Sequence, residues 1–265
     1  MNTKEQNSAK NRRFLQEIEK MTLKERQQEI LQTLKEKKSA DVADLAKALY
    51  VSEATVRRDL SEMKSMGLIE RSHGRALLPE NSDEISIFIR MEKNVTEKEK
   101  TATKALMHIP PFKSVYIDSS STALALAQRI DLAFKTVVTN NLQTALLLAK
   151  KSDINLFILG GCVQNNTTCA SGSWTTHQLS DFSFDLMISS CATVQGTDAY
   201  ERSMDQREIK REAFKRCKQH LLVVDHTKFT ESATYRLNSL REYDLVVTDA
   251  PPPEPFDATG INIIW

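Results

Sequence analysis

Hydrophobic residues between positions 52 and 63 recur at the period of an α-helix. Val56, Leu60 and Met63 stand at i, i+4 and i+7, so they share one face. Ser52 precedes this face and suits the N-cap position, because its hydroxyl can accept a hydrogen bond from an amide of the first turn. Arg57 and Arg58 fall outside the apolar face. The pattern predicts a short amphipathic helix with an arginine pair on its polar side.

Two further helices are predicted ahead of this one. The first begins near Thr22, where Glu25 three residues later completes a capping-box pattern. The second spans about residues 41–49 and has apolar positions at helical spacing. Residues 1–20 have few apolar positions and form an N-terminal extension, either as more helix or as a mobile tail. Two short helices in tight succession, the second opening with Ser and carrying Arg, are typical of a helix-turn-helix.

A β-hairpin is predicted directly after the third helix. Gly67 ends the helix, and residues 68–72 and 75–78 resemble two short strands that turn at His73 and Gly74. This hairpin is a wing that would bring three polar side chains to a DNA backbone or minor groove: Arg71, His73 and Arg75. We therefore predict a winged helix-turn-helix DNA-binding domain over residues 21–78. An arginine face that only solvates the helix is the alternative.

The second half of the chain alternates between strand-like and helical patterns. Residues 79–100 are polar and charged and are predicted to be a linker, followed by an effector-sensing domain over residues 101–265. Strands are predicted at 114–118, 136–139, 154–159, 185–189, 220–225 and 243–248, with an edge strand at 261–265. Helices are predicted at 101–107, 122–130, 142–150 and 205–217. The fold class is therefore α/β, an N-terminal winged helix-turn-helix plus a C-terminal mainly parallel α/β domain.

Polar residues and glycines follow several of these predicted strands. Because parallel strands end at the same edge of a sheet, and ligands bind there, we expect these residues to form an effector site. Hydroxyls and helix-start amides suit a phosphate, lysine adds a charge, and Asp or Asn suits sugar hydroxyls. The predicted site residues are Asp118, Ser119, Ser120, Ser121, Thr122, Thr139, Asn140, Gly160, Gly161 and Lys228. Any one of them is often only a helix cap or a turn, so their convergence carries the prediction.

Composition narrows the class of protein without naming a function. The chain has 265 residues, a 40% hydrophobic and 27% charged composition and a net charge of +1, which are ordinary globular values. It has no run of about 18 apolar residues and no apolar core at its N-terminus, so neither a membrane span nor a secretory signal is predicted. We expect a cytoplasmic protein. Its four cysteines lack metal-ligand spacing, and no metal, cofactor or catalytic residue is predicted.

The sequence of the predicted third helix and the hairpin after it resembles the DNA-binding domain of the DeoR family of bacterial repressors. That family typically has Val-Ser, then Thr, then Arg-Arg-Asp-Leu, and its wing carries His-Gly-Gly. This chain matches the helix motif with Val51, Ser52, Thr55 and the run from Arg57 to Leu60, and it has Arg75 in place of the second wing glycine. The resemblance implies operator contacts from Ser52, Thr55, Arg57 and Arg58. Asp59 is expected to be a structural partner of an arginine.

The second half also resembles the DeoR family, whose sensor domain is similar to sugar-phosphate isomerases of the ribose-5-phosphate isomerase type. The matching runs are residues 118–122, 139–140, 159–161, 225–228 and 248–249. Ser120 stands where the family has glycine, and a side chain there could hinder close approach of a phosphate to the backbone. The resemblance implies a phosphorylated sugar or a related metabolite as the effector.

These observations predict a DNA-binding transcriptional regulator, a repressor of carbohydrate-metabolism genes controlled by that effector. Its partners would be a double-stranded DNA operator and a phosphorylated sugar, without a membrane. A homo-oligomer, dimer or tetramer, is expected because operators have two-fold symmetry. Two alternatives stay open: a sugar-phosphate isomerase with an appended DNA-binding module, for which Asp118, Glu201 and Asp225 would be candidate bases, and a regulator whose effector pocket is vestigial.

Overall fold

A computed structural model describes residues 25–72, 74–78, 86–164 and 166–265 of the chain. The chain divides into two compact units with the boundary between Ser82 and Asp83. The predicted capping box at Thr22 and the N-terminal extension lie outside the described residues, as does His73.

The described part of the first unit contains three helices and a small sheet. Its elements are α1 (Glu25–Lys37), β1 (Ser39–Asp41), α2 (Val42–Ala48), α3 (Glu53–Ser65), β2 (Glu70–Ser72) and β3 (Arg75–Leu77). Its core contains the apolar faces that the helical spacing predicts, and the fully buried side chains include Ile30, Leu34, Leu45, Val56, Leu60 and Met63. The three helices and the hairpin are therefore confirmed.

Strand β1 is the element of this unit that sequence reasoning missed. Ser39–Asp41 pairs antiparallel with β3, so the wing is a three-stranded sheet in the order β1-β3-β2. Ala40 and Ala76 face each other in that register, and both are buried. Three residues are too few to show a two-residue period, so the sequence predicts no strand here and only Asp41 falls within the predicted second helix.

The second unit begins with two helices in the stretch predicted to be a linker. Helix α4 spans Ile87–Glu92 and α5 spans Val95–Leu106. Ile87 and Phe88 are buried, and Asn94 forms the corner between the helices in the left-handed conformation, with φ of 55°. The described part of the predicted linker is thus packed structure of this unit. The charged run gave no sign of this packing, because most of its charges lie on exposed helix faces, although Lys98 is buried.

A seven-stranded sheet forms the centre of the second unit. Its strands are β4 (Ser114–Ile117), β5 (Thr136–Thr139), β6 (Asn155–Ile158), β9 (Phe184–Ser189), β12 (Cys217–Val223), β14 (Leu245–Val247) and β15 (Ile263–Ile264). Every neighbouring pair is parallel, in the order β15-β14-β12-β9-β4-β5-β6. The predicted parallel sheet and its C-terminal edge strand are confirmed.

Helices pack on both faces of this sheet. Helix α6 (Ser121–Ala127) and α7 (Leu142–Leu148) join α5 on one face, where their side chains pack with Val115 and Ile117. Helix α9 (Met204–Lys215) lies on the other face with Tyr116 and Met187. Alternate residues of a strand thus point into two different cores, as a parallel sheet buried on both sides requires.

Smaller elements surround the sheet. Strands β7 (Cys162–Gln164) and β8 (Cys169–Ser171) form a hairpin before helix α8 (Ser173–Gln178). Strands β10 (Thr193–Gln195), β11 (Asp198–Glu201) and β13 (Tyr235–Ser239) form a separate antiparallel sheet. Sequence reasoning predicted none of them, because strands of three to five residues carry too little pattern.

Candidate functional site

The exposed side of α3 carries the residues predicted to contact DNA. Ser52 is the N-cap of this helix, and its hydroxyl oxygen accepts a hydrogen bond from the amide of Thr55 at 3.2 Å. Arg57 pairs with Glu53 one turn earlier, with 2.7 Å between Nη2 and Oε2. Arg58 is exposed and forms no ion pair within the described part of the chain. Two hydroxyls and two guanidinium groups therefore lie within the N-cap and the first two turns of this helix.

Asp59 of the same helix points into the unit instead. It is fully buried, and its carboxylate accepts hydrogen bonds from Nε and Nη2 of Arg26 on α1, the second at 3.0 Å. This two-point contact is the preferred geometry between guanidinium and carboxylate. The predicted role of Asp59 as a structural partner of an arginine is confirmed, and it fixes the first helix against the third.

The wing places its two described cations at the surface. Arg71 Nη1 donates to Ser61 Oγ on α3 at 3.1 Å. Arg75 Nε lies 3.5 Å from Asp41 Oδ1, and both side chains are about half exposed. Hairpin and helix thus hold their arginines on accessible positions of one small unit.

The second unit contains a cleft at the point where its strand order reverses. Strands β5 and β6 lie on one side of β4, whereas β9 and β12 lie on the other. Ser120, Ser121 and Thr122 follow β4, Ser190 follows β9, and Asp225 and Lys228 follow β12; all of them line the cleft. This is the position where open parallel sheets bind ligands. We call it the switch-point cleft.

A buried ion-pair network forms the floor of the switch-point cleft. Lys210 Nζ lies 2.9 Å from Asp118 Oδ2, 2.6 Å from Glu201 Oε1 and 2.8 Å from the carbonyl oxygen of Ser190. Burial by itself disfavours each charge, but Asp118 and Glu201 hold the pKa of Lys210 above its ordinary value. In the same way, Lys210 and hydrogen bonds from Ser120 and Ser190 outweigh burial and lower the pKa of Asp118.

The charge of the cleft wall favours an anionic ligand. Among the residues that the structure describes, six basic side chains line it: Arg90, Lys93, Lys98, Arg202, Lys210 and Lys228. Three acidic side chains accompany them: Glu201, Asp225 and Glu231. Lys210 is neutralised by its network, whereas Lys228 forms no ion pair within the described residues. Positive charge is therefore in excess where a ligand would enter.

Asp225 supplies a polar group that lacks a partner. The residue is fully buried, and among the described residues its Oδ2 is a buried atom without a hydrogen bond. Its other oxygen accepts from the hydroxyl of Thr227 and lies 3.4 Å from Asn94 Nδ2. A buried carboxylate oxygen without a donor is costly, so one lining a cleft indicates a ligand hydroxyl or a water.

Lys98 holds the corner between α4 and α5 at the rim of this cleft. Its ammonium donates hydrogen bonds to the carbonyl oxygens of Arg90 and Lys93, and the residue is 5% exposed. Burial lowers the pKa of Lys98 to about 8, although the charge of Asp225 opposes this. An ammonium at the end of a helix satisfies carbonyls that lack intrahelical partners.

Four predicted effector residues line the cleft: Ser120, Ser121, Thr122 and Lys228. Ser120 has an ordinary φ of −82°, and its hydroxyl accepts from the amide of Ala123, so its side chain caps α6. Asp118 and Ser119 come from the same loop but point away from the opening. Asp118 binds Lys210, and Ser119 Oγ donates to Gln206 Oε1 at 2.6 Å.

The other four predicted residues do not line the cleft. Thr139 Oγ1 accepts from the amide of Asn141, and Asn140 accepts from the hydroxyl of Tyr116 at 3.0 Å. Gly160 bonds to the side chain of Gln178, while a Cβ on Gly161 would lie 2.0 Å from Thr175 Oγ1. These contacts are structural. They lie at the ends of β5 and β6, which are not the two strands between which the strand order reverses.

Several residues of the cleft were not predicted to bind the effector. They come from α4, α5, β11 and α9 and from the residues that directly adjoin these elements: Arg90, Lys93, Asn94, Lys98, Glu201, Arg202 and Lys210. One signal was present for Lys210, because Gln206, Ile209, Lys210 and Ala213 share the buried face of α9. A lysine in the apolar register of a helix indicates a buried ion pair or a site.

Comparisons with known proteins agree with both units. A family model described as the DeoR-like helix-turn-helix domain matches residues 26–82, and one described as the DeoR C terminal sensor domain matches residues 93–250. Among solved structures, ribose 5-phosphate isomerase A from Neisseria gonorrhoeae has a TM-score of 0.36 and 15% identity, covering 50% of this chain and 52% of that one. No helix in the described ranges is long and apolar enough to cross a membrane.

Three curated relatives span nearly the whole chain. The glycerol-3-phosphate regulon repressor of Escherichia coli (strain K12) is 31% identical over 84% of this chain and 90% of its own length. The L-fucose operon activator of the same organism is 31% identical over 84% and 94%, and the repressor GlcR of Bacillus subtilis (strain 168) is 28% identical over 92% and 96%. These relatives are named as regulators of transcription and not as enzymes, which decides against the isomerase alternative. The chain is a DNA-binding transcriptional regulator and belongs to the DeoR family.

Proposed function

We propose that this regulator is a repressor of carbohydrate-metabolism genes, and that a phosphorylated sugar or related metabolite controls it from the switch-point cleft. The observation that carries the proposal is the composition of the cleft wall. Basic side chains outnumber acidic ones there, and Asp225, which lines the same cleft as Ser121 and Thr122, has a buried oxygen without a hydrogen bond among the described residues. A phosphate would contact the cations, while a sugar hydroxyl would donate to Asp225.

The relatives support the same class of effector. One is named for glycerol 3-phosphate and another for L-fucose, so both act on genes for small polyols or sugars. Two of the three relatives are named repressors and one is an activator, which favours repression. Effector binding would shift the population between arrangements that match the operator and arrangements that do not.

For DNA binding we propose contacts from Ser52, Thr55, Arg57 and Arg58 in the major groove, with Arg71 and Arg75 at the backbone. The N-terminal residues of a recognition helix contact base edges, and arginine pairs bidentately with guanine. The operator would be two-fold symmetric, so we propose a homo-oligomer, dimer or tetramer, which light scattering at working concentration measures.

Ser120 bears on the alternative of a vestigial pocket. Its hydroxyl accepts a hydrogen bond from the amide of Ala123. The side chain that stands in place of the family glycine therefore acts as the N-cap of the following helix. Its backbone angle is also one that any residue adopts. These features support a working cleft.

Thermal-shift titration of the full chain with phosphorylated sugars and their unphosphorylated counterparts tests the proposal. We expect at least one phosphorylated sugar to raise Tm, its unphosphorylated form to do so less, and Lys228→Ala to weaken the effect. The same compound should change binding to an operator obtained by selection from random double-stranded DNA. A panel without any stabilising compound would favour the vestigial pocket.

A further inference from the structure

Glu231 places a carboxylate among the cations of the switch-point cleft. Its Oε1 lies 2.9 Å from Lys93 Nζ, and its Oε2 lies 2.6 Å from Arg202 Nη2. All three residues line the cleft, and the Glu231 side chain is 24% exposed. One acidic group thus neutralises two of the basic groups that an anionic ligand would contact.

The loop around Glu231 is fastened to the cleft wall. Arg202 Nη1 donates to the carbonyl oxygen of Ser232 at 3.1 Å. The hydroxyl of Thr193 lies 2.7 Å from the carbonyl oxygen of Glu231, and Gln195 Nε2 donates to the carbonyl of Ala233 at 2.8 Å. These contacts attach the loop to β10 and to the segment after β11. The position of the carboxylate is therefore set by the fold.

We propose that Glu231 is a built-in competitor for the anionic group of the effector, and that it determines which ligands the cleft accepts. This inference rests on the proposed function, because it takes the cleft to be the effector site. A ligand must displace the carboxylate from Lys93 and Arg202 before it can occupy their donors. The residue thereby lowers the affinity for anions in general.

The competition selects for ligand charge. A ligand with one carboxylate would replace the single charge of Glu231 and gain little. A phosphate monoester carries between about 1.5 and 2 negative charges at pH 7 and has three acceptor oxygens. It can therefore pair with the same two cations and still bring more negative charge than the carboxylate that it displaces. Glu231 therefore favours phosphorylated ligands over singly charged carboxylates.

The test uses the full chain and inorganic phosphate as the probe, with acetate at equal ionic strength as a singly charged comparison. Wild type, Glu231→Gln and Glu231→Asp are titrated by calorimetry, and Tm without phosphate reports folding of each. The matched control is Glu99→Gln, because Glu99 forms a surface ion pair with Arg129 at 2.7 Å and does not line the cleft.

We expect Glu231→Gln to bind phosphate about fivefold more tightly. This factor corresponds to the free energy expected for two partly exposed ion pairs that no longer have to be broken. Its preference for phosphate over acetate should narrow, because a single charge then suffices. Glu231→Asp keeps the charge on a shorter stem that cannot reach both cations, so its affinity should lie between the two. Glu99→Gln should match wild type.

The other outcomes separate the two proposals. Phosphate binding that is unchanged or weaker in Glu231→Gln, with wild type binding normally, would overturn the competitor and leave the effector cleft standing. Weaker phosphate binding by Glu231→Gln would indicate that Glu231 itself contacts the ligand. Absence of phosphate binding in every variant would overturn the anion cleft itself, and the competitor with it.

Discussion

The ammonium of Lys210 binds the carboxylate of Asp118 in the interior of the second unit, with 2.9 Å between Nζ and Oδ2. Their side chains are 5% and 0% exposed. Asp118 also accepts from the amides of Ser120 and Ser190 and from the hydroxyl of Ser189. Four protein groups thus contact this carboxylate, and its role is to hold the ends of β4 and β9 together with α9.

Replacing Lys210 should therefore destabilise the protein strongly. Lys210→Met leaves Asp118 and Glu201 buried without their cation, and removing one partner of a buried pair costs about 3–5 kcal/mol. Urea denaturation measures the change in the free energy of unfolding. Lys215→Met on the same helix is the control, because Lys215 is 65% exposed in its pair with Glu212 and should cost less than about 1 kcal/mol. Equal effects of the two substitutions would contradict the role of the network.

The buried ammonium of Lys98 predicts a stability that rises with pH. Burial lowers its pKa in the folded state to about 8, whereas an unfolded lysine has a pKa of about 10.4. Between these values the unfolded state binds more protons, so the free energy of unfolding increases with pH, by at most about 1.4 kcal/mol per pH unit. The cost of burying the charge is fully present below pH 8 and disappears as pH approaches 10.4.

Comparing wild type with Lys98→Met by urea denaturation from pH 7 to pH 10 isolates this contribution. The difference in unfolding free energy should move in favour of wild type as pH rises above 8. Lys100→Met is the matched control for the loss of a lysine side chain, since Lys100 is exposed on the same helix. Parallel pH curves for wild type and Lys98→Met would exclude the lowered pKa.

Sequence reasoning predicted those parts of the molecule in which periodicity or motif is long. Val56, Leu60 and Met63 located α3, and β-branched runs located the strands on both sides of the strand-order reversal. It could not predict which strand ends meet, because strand order is decided by tertiary packing. Asn140 and Gly161 were therefore included in the predicted site. In the structure Asn140 donates a hydrogen bond to the neighbouring hairpin, and Gly161 lies close against the neighbouring helix. Lys98 and Lys210 were overlooked because charge was equated with exposure, whereas both lie on buried helix faces.

Arg58→Ala should reduce the preference of the protein for its operator. The guanidinium is exposed near the start of the recognition helix, where a bidentate contact with guanine is worth about 1–3 kcal/mol. Binding to operator and to random DNA is compared by mobility shift, with circular dichroism as a check of folding. Lys64→Ala is the control, because Lys64 is exposed in the last turn of the same helix. Wild-type discrimination by Arg58→Ala would place this residue outside the groove.

The wing arginines should contribute charge without sequence preference. Arg71 and Arg75 stand on paired strands of the hairpin, and a cation that contacts a phosphate releases a counterion when it binds. We expect Arg71→Ala and Arg75→Ala each to reduce the slope of log affinity against log salt by about one, with similar losses on operator and random DNA. Lys215→Ala, on the second unit, removes the same charge and should leave the slope unchanged. If the slope is the same as that of wild type in both wing variants, the hairpin arginines do not contact DNA phosphates. The arginines of α3 would then supply the interface alone.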